Sequence, residues 1–216
     1  MGTKWFFRRG VGDGLEGERA TIALMEALRD VAGPDVKVMI DAWANWGVDY
    51  TLCMAKLLEP FDPAWIEAPV QYALRDSCVY LQRASPIPIA GGEHDFTCRS
   101  AKEMLDADMS DVYQLEPVWA GGLREMIKIN ALVTAYDVTF VPHVYLPAAS
   151  VPVSFTLNAM TTPMLEYYLI LGEIYLHFLK TPLKRKADYF YPADAIGLGL
   201  DVDEATVEPE KAVTFG

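Results

Sequence analysis

The stretches KVMIDAW (Lys37–Trp43), PAWIEAP (Pro63–Pro69) and PIAGGEH (Pro88–His94) decide the fold of this chain. Each is a short apolar run that ends in a carboxylate, namely Asp41, Glu67 and Glu93, and each later carboxylate falls 26 residues after the one before. A strand, a helix and two short loops fill about that length, so the spacing predicts one βα unit per carboxylate. Acidic residues at the C-terminal ends of three successive parallel strands converge on one point. An oxygen-only donor set of that kind suits a hard divalent cation such as Mg²⁺.

Working outward, Thr3–Phe7 reads as a first strand and is followed by a glycine-rich turn. A helix from about Glu18 to Val31 stops at Gly33-Pro34. Strand Val36–Asp41, helix Val48–Leu58, strand Trp65–Glu67, helix Ala73–Ala84 and strand Ile87–Gly92 come next. Then follow helix Ser100–Ala107, strand Asp111–Leu115, a helix opened by Gly121-Gly122 that runs to Tyr136, and strand Thr139–Pro142. Ala148–Met160 reads as helical and Met164–Tyr167 as the last strand. Seven strands alternating with helices, apolar on both faces, are the pattern of a parallel α/β protein. Between a doubly wound sheet and a (β/α)₈-type barrel, the carboxylates select the barrel. Groups from many consecutive strand ends meet only if the strands form a ring, whereas an open sheet has its crevice at one switch point. The count is one strand short, and about 250 residues is typical of such a barrel. The expectation is therefore a barrel truncated at its N-terminus, with residues 1–182 as the catalytic domain and 183–216 as a tail that is mostly loop and turn.

The 216 residues are 52% apolar, enough for a packed core, and no apolar run approaches the length of a membrane helix. The net charge of −12 argues against nucleic acid or an anionic membrane as partner. It leaves room for a small anionic substrate, because a bound dication reverses the local field. Cys53, Cys78 and Cys98 have neither metal spacing nor an even count, so a reducing cytoplasm is the expected location.

Three further polar residues stand at later strand ends: Glu116 after VYQL, His143 after TFVP and Glu166 after TPML. A histidine beside a carboxylate from a neighbouring strand is held in one tautomer and becomes more basic, which fits a general base.

The motifs VMIDAW, WIEAP, AGGEH, VYQLEPVWAGGLRE, VPH and PMLEY, in that order, resemble the mandelate racemase subgroup of the enolase superfamily. The resemblance implies that Asp41, Glu67 and Glu93 bind Mg²⁺, that His143 is the general base, and that Glu116 orients it. It implies Glu166 as a hydrogen-bonding electrophile on the substrate carboxylate, and it assigns Lys4 and Trp43 to substrate binding. The shared half-reaction is removal of a proton α to a carboxylate. The stretches KWFFRRGVGDG, IDAWANW, GGEH and VWAGGL look most like sugar-acid dehydratases of the rhamnonate type. In that comparison His94 either donates a proton to the departing hydroxyl or only hydrogen-bonds the third metal ligand.

Two departures from the pattern matter. Where many subgroup members carry Lys-x-Lys, this chain reads Lys4-Trp5-Phe6, so a second base is absent and two-base racemisation is disfavoured. Where Asp usually orients the base, the chain has Glu116, with Asp111 a more remote substitute. The implied function is dehydration of an aldonate to a 2-keto-3-deoxy acid, by a homo-oligomer in its full-length form. The alternatives are an epimerase, racemase or cycloisomerase of the same superfamily, or an inactive remnant. A capping domain and the first barrel strand have no counterpart in the sequence, and the tail would pack against that cap.

Overall fold

The computed structural model describes residues 1–192 and 194–207. The elements are β1 (Gly2–Phe6), α1 (Gly14–Ala32), β2 (Lys37–Asp41), α2 (Val48–Leu58), β3 (Ile66–Glu67), α3 (Arg75–Ala84), β4 (Ile89–Gly91), α4 (Thr97–Ala107), β5 (Val112–Tyr113), α5 (Leu123–Tyr136), β6 (Thr139–Phe140), α6 (Pro147–Ser154), α7 (Leu169–His177), β7 (Lys184–Lys186) and β8 (Tyr189–Tyr191). The first six strands form one parallel sheet in strictly sequential order. Every crossover therefore steps the same way and no switch point arises, so the sheet curls toward a ring as the carboxylate ladder requires.

Alternation along each strand sorts its side chains into two cores. Val38, Ile40, Ile66, Ile89, Tyr113 and Phe140 face outward and pack with helix residues such as Met25, Met54, Leu81, Met104 and Ile129. Met39, Trp65, Ala90, Val112 and Val141 face inward and pack together as one apolar layer inside the sheet. At the opposite end from the carboxylates, Arg29 ties α1 to its neighbours. Its guanidinium donates to the carbonyls of Gly33, Val36, Phe61 and Asp62. Gly33, at φ +76°, ends α1 with a turn that favours glycine.

Two expectations need correction. Met164–Tyr167 does not form a strand. The amide of Glu166 donates to the Pro142 carbonyl at 3.2 Å, but Pro142 and Pro163 have no N–H with which to build a ladder. The helix expected to reach Met160 stops at Ser154, because Asn158 makes a turn in which its side chain accepts from the Met160 amide. The tail contains the antiparallel hairpin β7–β8 besides its turns, and its residues 208–216, with Ala193, lie outside the described residues. Among the described residues no helix is long and apolar enough to cross a membrane.

Candidate active site

The inward apolar layer fixes the site by parity. Two residues beyond Met39, Trp65, Val112 and Val141 come Asp41, Glu67, Gln114 and His143, which therefore form the next layer toward the strand C-termini. On β4 the corresponding position is Gly92, at φ +115°, a conformation that glycine adopts without penalty. The turn there shifts the acidic role by one residue, to Glu93. A Cβ at Gly92 would also come within 2.7 Å of the tip of the Met104 side chain, which would have to shift. Beyond the layer, Trp43, Ala44 and Ala68 all have positive φ between 41° and 55°. Part of the left-handed backbone thus lies at the site end of the sheet.

Lys4 completes this layer from below. It is in register with Met39, so its side chain starts one layer lower and extends upward. Its ammonium meets Asp41 at 3.2 Å and Glu166 at 2.8 Å, and it also donates to Glu67. This contact spans from β1 to the segment that follows β6, so a side chain draws the two ends of the arc together. Gln114 donates to Glu67 at 2.7 Å. The motifs did not single out Gln114 or the ammonium's position among the carboxylates; counting two residues on from each inward apolar side chain would have found the glutamine.

His143 is brought to Glu93, with Nε2 2.9 Å from its Oε2 and 3.9 Å from Glu166. His143 Nδ1 and one oxygen of Glu166 are buried without hydrogen-bond partners. Glu116 does not reach His143. It is fully buried, and its carboxylate accepts from the Trp119 amide at 2.7 Å and the Ser150 hydroxyl at 2.5 Å. The orienting role expected of it is therefore not what the structure shows; Glu116 fixes the turn after β5 onto α6. Asp111 is equally remote, bonded to Gln82 and the Ile89 amide.

His94 is exposed at the mouth, 3.3 Å from Glu93 through Nδ1. Trp119 stacks on both imidazoles, at 5.8 Å from His94 and 6.1 Å from His143. Trp43 is largely exposed, and its amide donates to Asp41 at 2.9 Å. It forms one wall of a cleft of about 480 Å³ that runs past Tyr72 and Arg75 to Glu93 and His94.

Residues 6–206 match the enolase C-terminal domain-like family. The chain belongs to that family. It is a member of the mandelate racemase subgroup of the enolase superfamily, as its motifs implied. It is 30% identical over 206 residues to a D-galactonate dehydratase of Ralstonia pickettii, covering 92% of this chain and 54% of that protein. To an L-rhamnonate dehydratase of Saccharopolyspora erythraea it is 30% identical over 145 residues, 66% of this chain and 37% of the other. Among solved structures, the 3,6-anhydro-D-galactonate cycloisomerase from Zobellia galactanivorans superposes with a TM-score of 0.81 at 28% identity, over 94% of this chain and 56% of that one. An enolase from Bradyrhizobium, complexed with magnesium and mandelic acid, superposes at 0.78 with 24% identity, over 94% and 53%. The chain spans about half the length of the curated relatives it matches.

The electrostatics of this enolase-family site follow from crowding. Burial, then the charge of Glu67, pushes Asp41 up to about 7 against the opposing pull of Lys4. Burial likewise raises Glu166, with Glu67 adding to it and Lys4 opposing. Burial alone would lower the Lys4 ammonium, but Glu67, Glu166 and Asp41 outweigh it and hold it well above its usual value. His143 is raised in the same manner: burial opposes, and the Glu93 hydrogen bond with the charges of Glu166 and Glu93 prevails. Glu93 is lowered in spite of burial, chiefly by His143. Buried carboxylates that resist ionisation beside one ammonium are an arrangement that more positive charge would relieve. The donors are all oxygen, which fits Mg²⁺. Two of the three expected ligands converge on one cation, while Glu93 is turned to His143. Among the described residues no group of three or more His, Cys, Asp or Glu side chains is drawn together tightly enough to hold a metal.

Proposed function

We propose that this chain carries the barrel site of a Mg²⁺-dependent sugar-acid dehydratase, converting an aldonate of the rhamnonate or galactonate type to a 2-keto-3-deoxy acid. The observation that supports it most is His143 held by Glu93 at 2.9 Å, in the same inward layer as Asp41 and Glu67. Those three carboxylates would hold the dication, with Glu93 shared between it and the base. A bound dication supplies stabilisation for the charge that develops on the substrate carboxylate once the α proton leaves.

The remaining work falls to side chains of this chain. A proton α to an ionised carboxylate is too weakly acidic for an unassisted imidazole, so the basicity given to His143 by its hydrogen bond to Glu93 is a functional asset. Glu166, with its raised pKa, keeps a proton more readily than an exposed carboxylate does and can donate it in a hydrogen bond to the substrate carboxylate. After His143 takes the α proton, the C–O bond at the β carbon breaks and the hydroxyl leaves as water, its added proton coming from an imidazole. His94 shares the Trp119 stack with His143 and is the candidate donor. The enol then tautomerises to the 2-keto acid. Phe6 stands where a second lysine would act from the opposite face, which weighs against two-base racemisation.

The test uses the protein with Mg²⁺ and a panel of six-carbon and 6-deoxy aldonic acids, scoring 2-keto acid formation and α-hydrogen exchange in D₂O. Keto-acid release is expected. Exchange without dehydration would favour an epimerase, and neither with any substrate would sink the enzyme reading.

A further inference from the structure

Asp41 and Glu67 already have a cation between them. We propose that Lys4 is a displaceable internal cation that competes with the dication for these two carboxylates. The inference rests on the reading of Asp41, Glu67 and Glu93 as dication ligands, and it concerns what this chain does to that binding.

Three features carry it. First, the stoichiometry is matched: an ammonium has three donors, and Lys4 directs them at Asp41 (3.2 Å), Glu166 (2.8 Å) and Glu67. Among the described residues no other cationic side chain pairs with Asp41 or Glu67. Second, the amine is tethered from the layer beneath, in register with Met39, so its flexible stem can withdraw without leaving the barrel. Third, Glu166 gives it somewhere to go. A dication that takes the oxygens now held by the ammonium, Oδ2 of Asp41 and Oε1 of Glu67, displaces Lys4 from two of its three partners and leaves it Glu166. The ion pair therefore lowers the apparent dication affinity. In return, it spares the fold the burial of two unpaired carboxylates, each costly without a counter-charge.

The experiment titrates Mn²⁺ calorimetrically into the wild-type chain, Lys4→Met and Lys4→Arg, at about pH 8.5 so that protons do not replace the lost amine. Lys4→Met keeps the length and removes the charge, and it is expected to bind Mn²⁺ tighter by on the order of tenfold or more. Lys4→Arg keeps the charge and is expected to stay within roughly threefold of wild type. Melting curves give a second readout. Lys4→Met should melt lower than wild type without dication and gain more on saturation, and a variant that folds only with Mn²⁺ present would meet the same expectation in extreme form. Equal or weaker Mn²⁺ affinity in Lys4→Met, with no larger thermal gain, overturns the competition while leaving the metal assignment standing. No heat of binding in any of the three proteins overturns both.

Discussion

Two adjacent layers inside the same strands make opposite uses of burial. The lower layer, Met39, Trp65, Ala90, Val112 and Val141, is apolar and closes the sheet by packing. The upper layer, only two residues further along, holds Asp41, Glu67 and Gln114, equally hidden from water, and the partly buried His143. In the lower layer burial is favourable for every atom. In the upper layer it opposes each charge, and the layer persists because Lys4, Glu93 and Gln114 supply partners. The difference teaches where the chemistry can reside: reactive groups stand on a rigid apolar floor, beside backbone strain at Trp43, Ala44 and Ala68.

The comparison can be broken at several points. The largest effect should come from His143→Asn, which removes the imidazole while leaving the lower layer untouched. Loss of α-hydrogen exchange by about 10²–10⁴-fold is expected, with little change in melting temperature. Retained exchange in a D₂O assay would mean that another group is the base. Met39→Ala tests the floor itself. Denaturant unfolding should show a loss of about 2–5 kcal/mol, the usual cost of truncating a buried side chain of this size.

Asp41→Asn should act with the opposite sign. Because the folded Asp41 carboxyl is pushed up to about 7, its ionised form is disfavoured by folding. Without dication at about pH 8, the neutral amide should stabilise the chain by roughly 1–3 kcal/mol while abolishing turnover. The sign carries over to pH. A carboxyl whose folded pKa lies above its unfolded value favours the fold while protonated and loses that contribution as pH rises. Dication-free wild type should therefore lose stability between about pH 4 and 7, and Asp41→Asn should lose less over the same window. His143, also raised, adds a loss of the same sign as pH rises through its folded value. A flat pH profile identical in the two proteins would contradict the crowding argument.

The smallest effect is expected from Glu116→Gln. If this residue braces the turn after β5 rather than the base, exchange should fall by less than about tenfold while stability drops by about 1–2 kcal/mol. A loss of exchange near that of His143→Asn would return it to the orienting role.

How much of this was legible in one dimension depends on the range of each interaction. Alternation and spacing are local properties, so the strands β1 to β6, the helices α2 and α5, and the positions of Asp41, Glu67, Glu93 and His143 could be read from the sequence. The last strand could not be read so well, because ladder formation depends on donors that Pro142 and Pro163 lack. Which polar group faces which was not readable at all. Glu116 and Gln114 stand two residues apart just after β5, yet the chain turns between them, sending one to Ser150 and the other to Glu67. Lys4 is 63 residues from Glu67 in sequence, and only the curling of the sheet brings its ammonium there. The sequence by itself determined a ring of parallel strands with acids at one end. The tertiary structure alone decided the pairing among those acids, the base and the lysine, because buried charges choose partners by distance in space, and that distance is set by how far the sheet has closed.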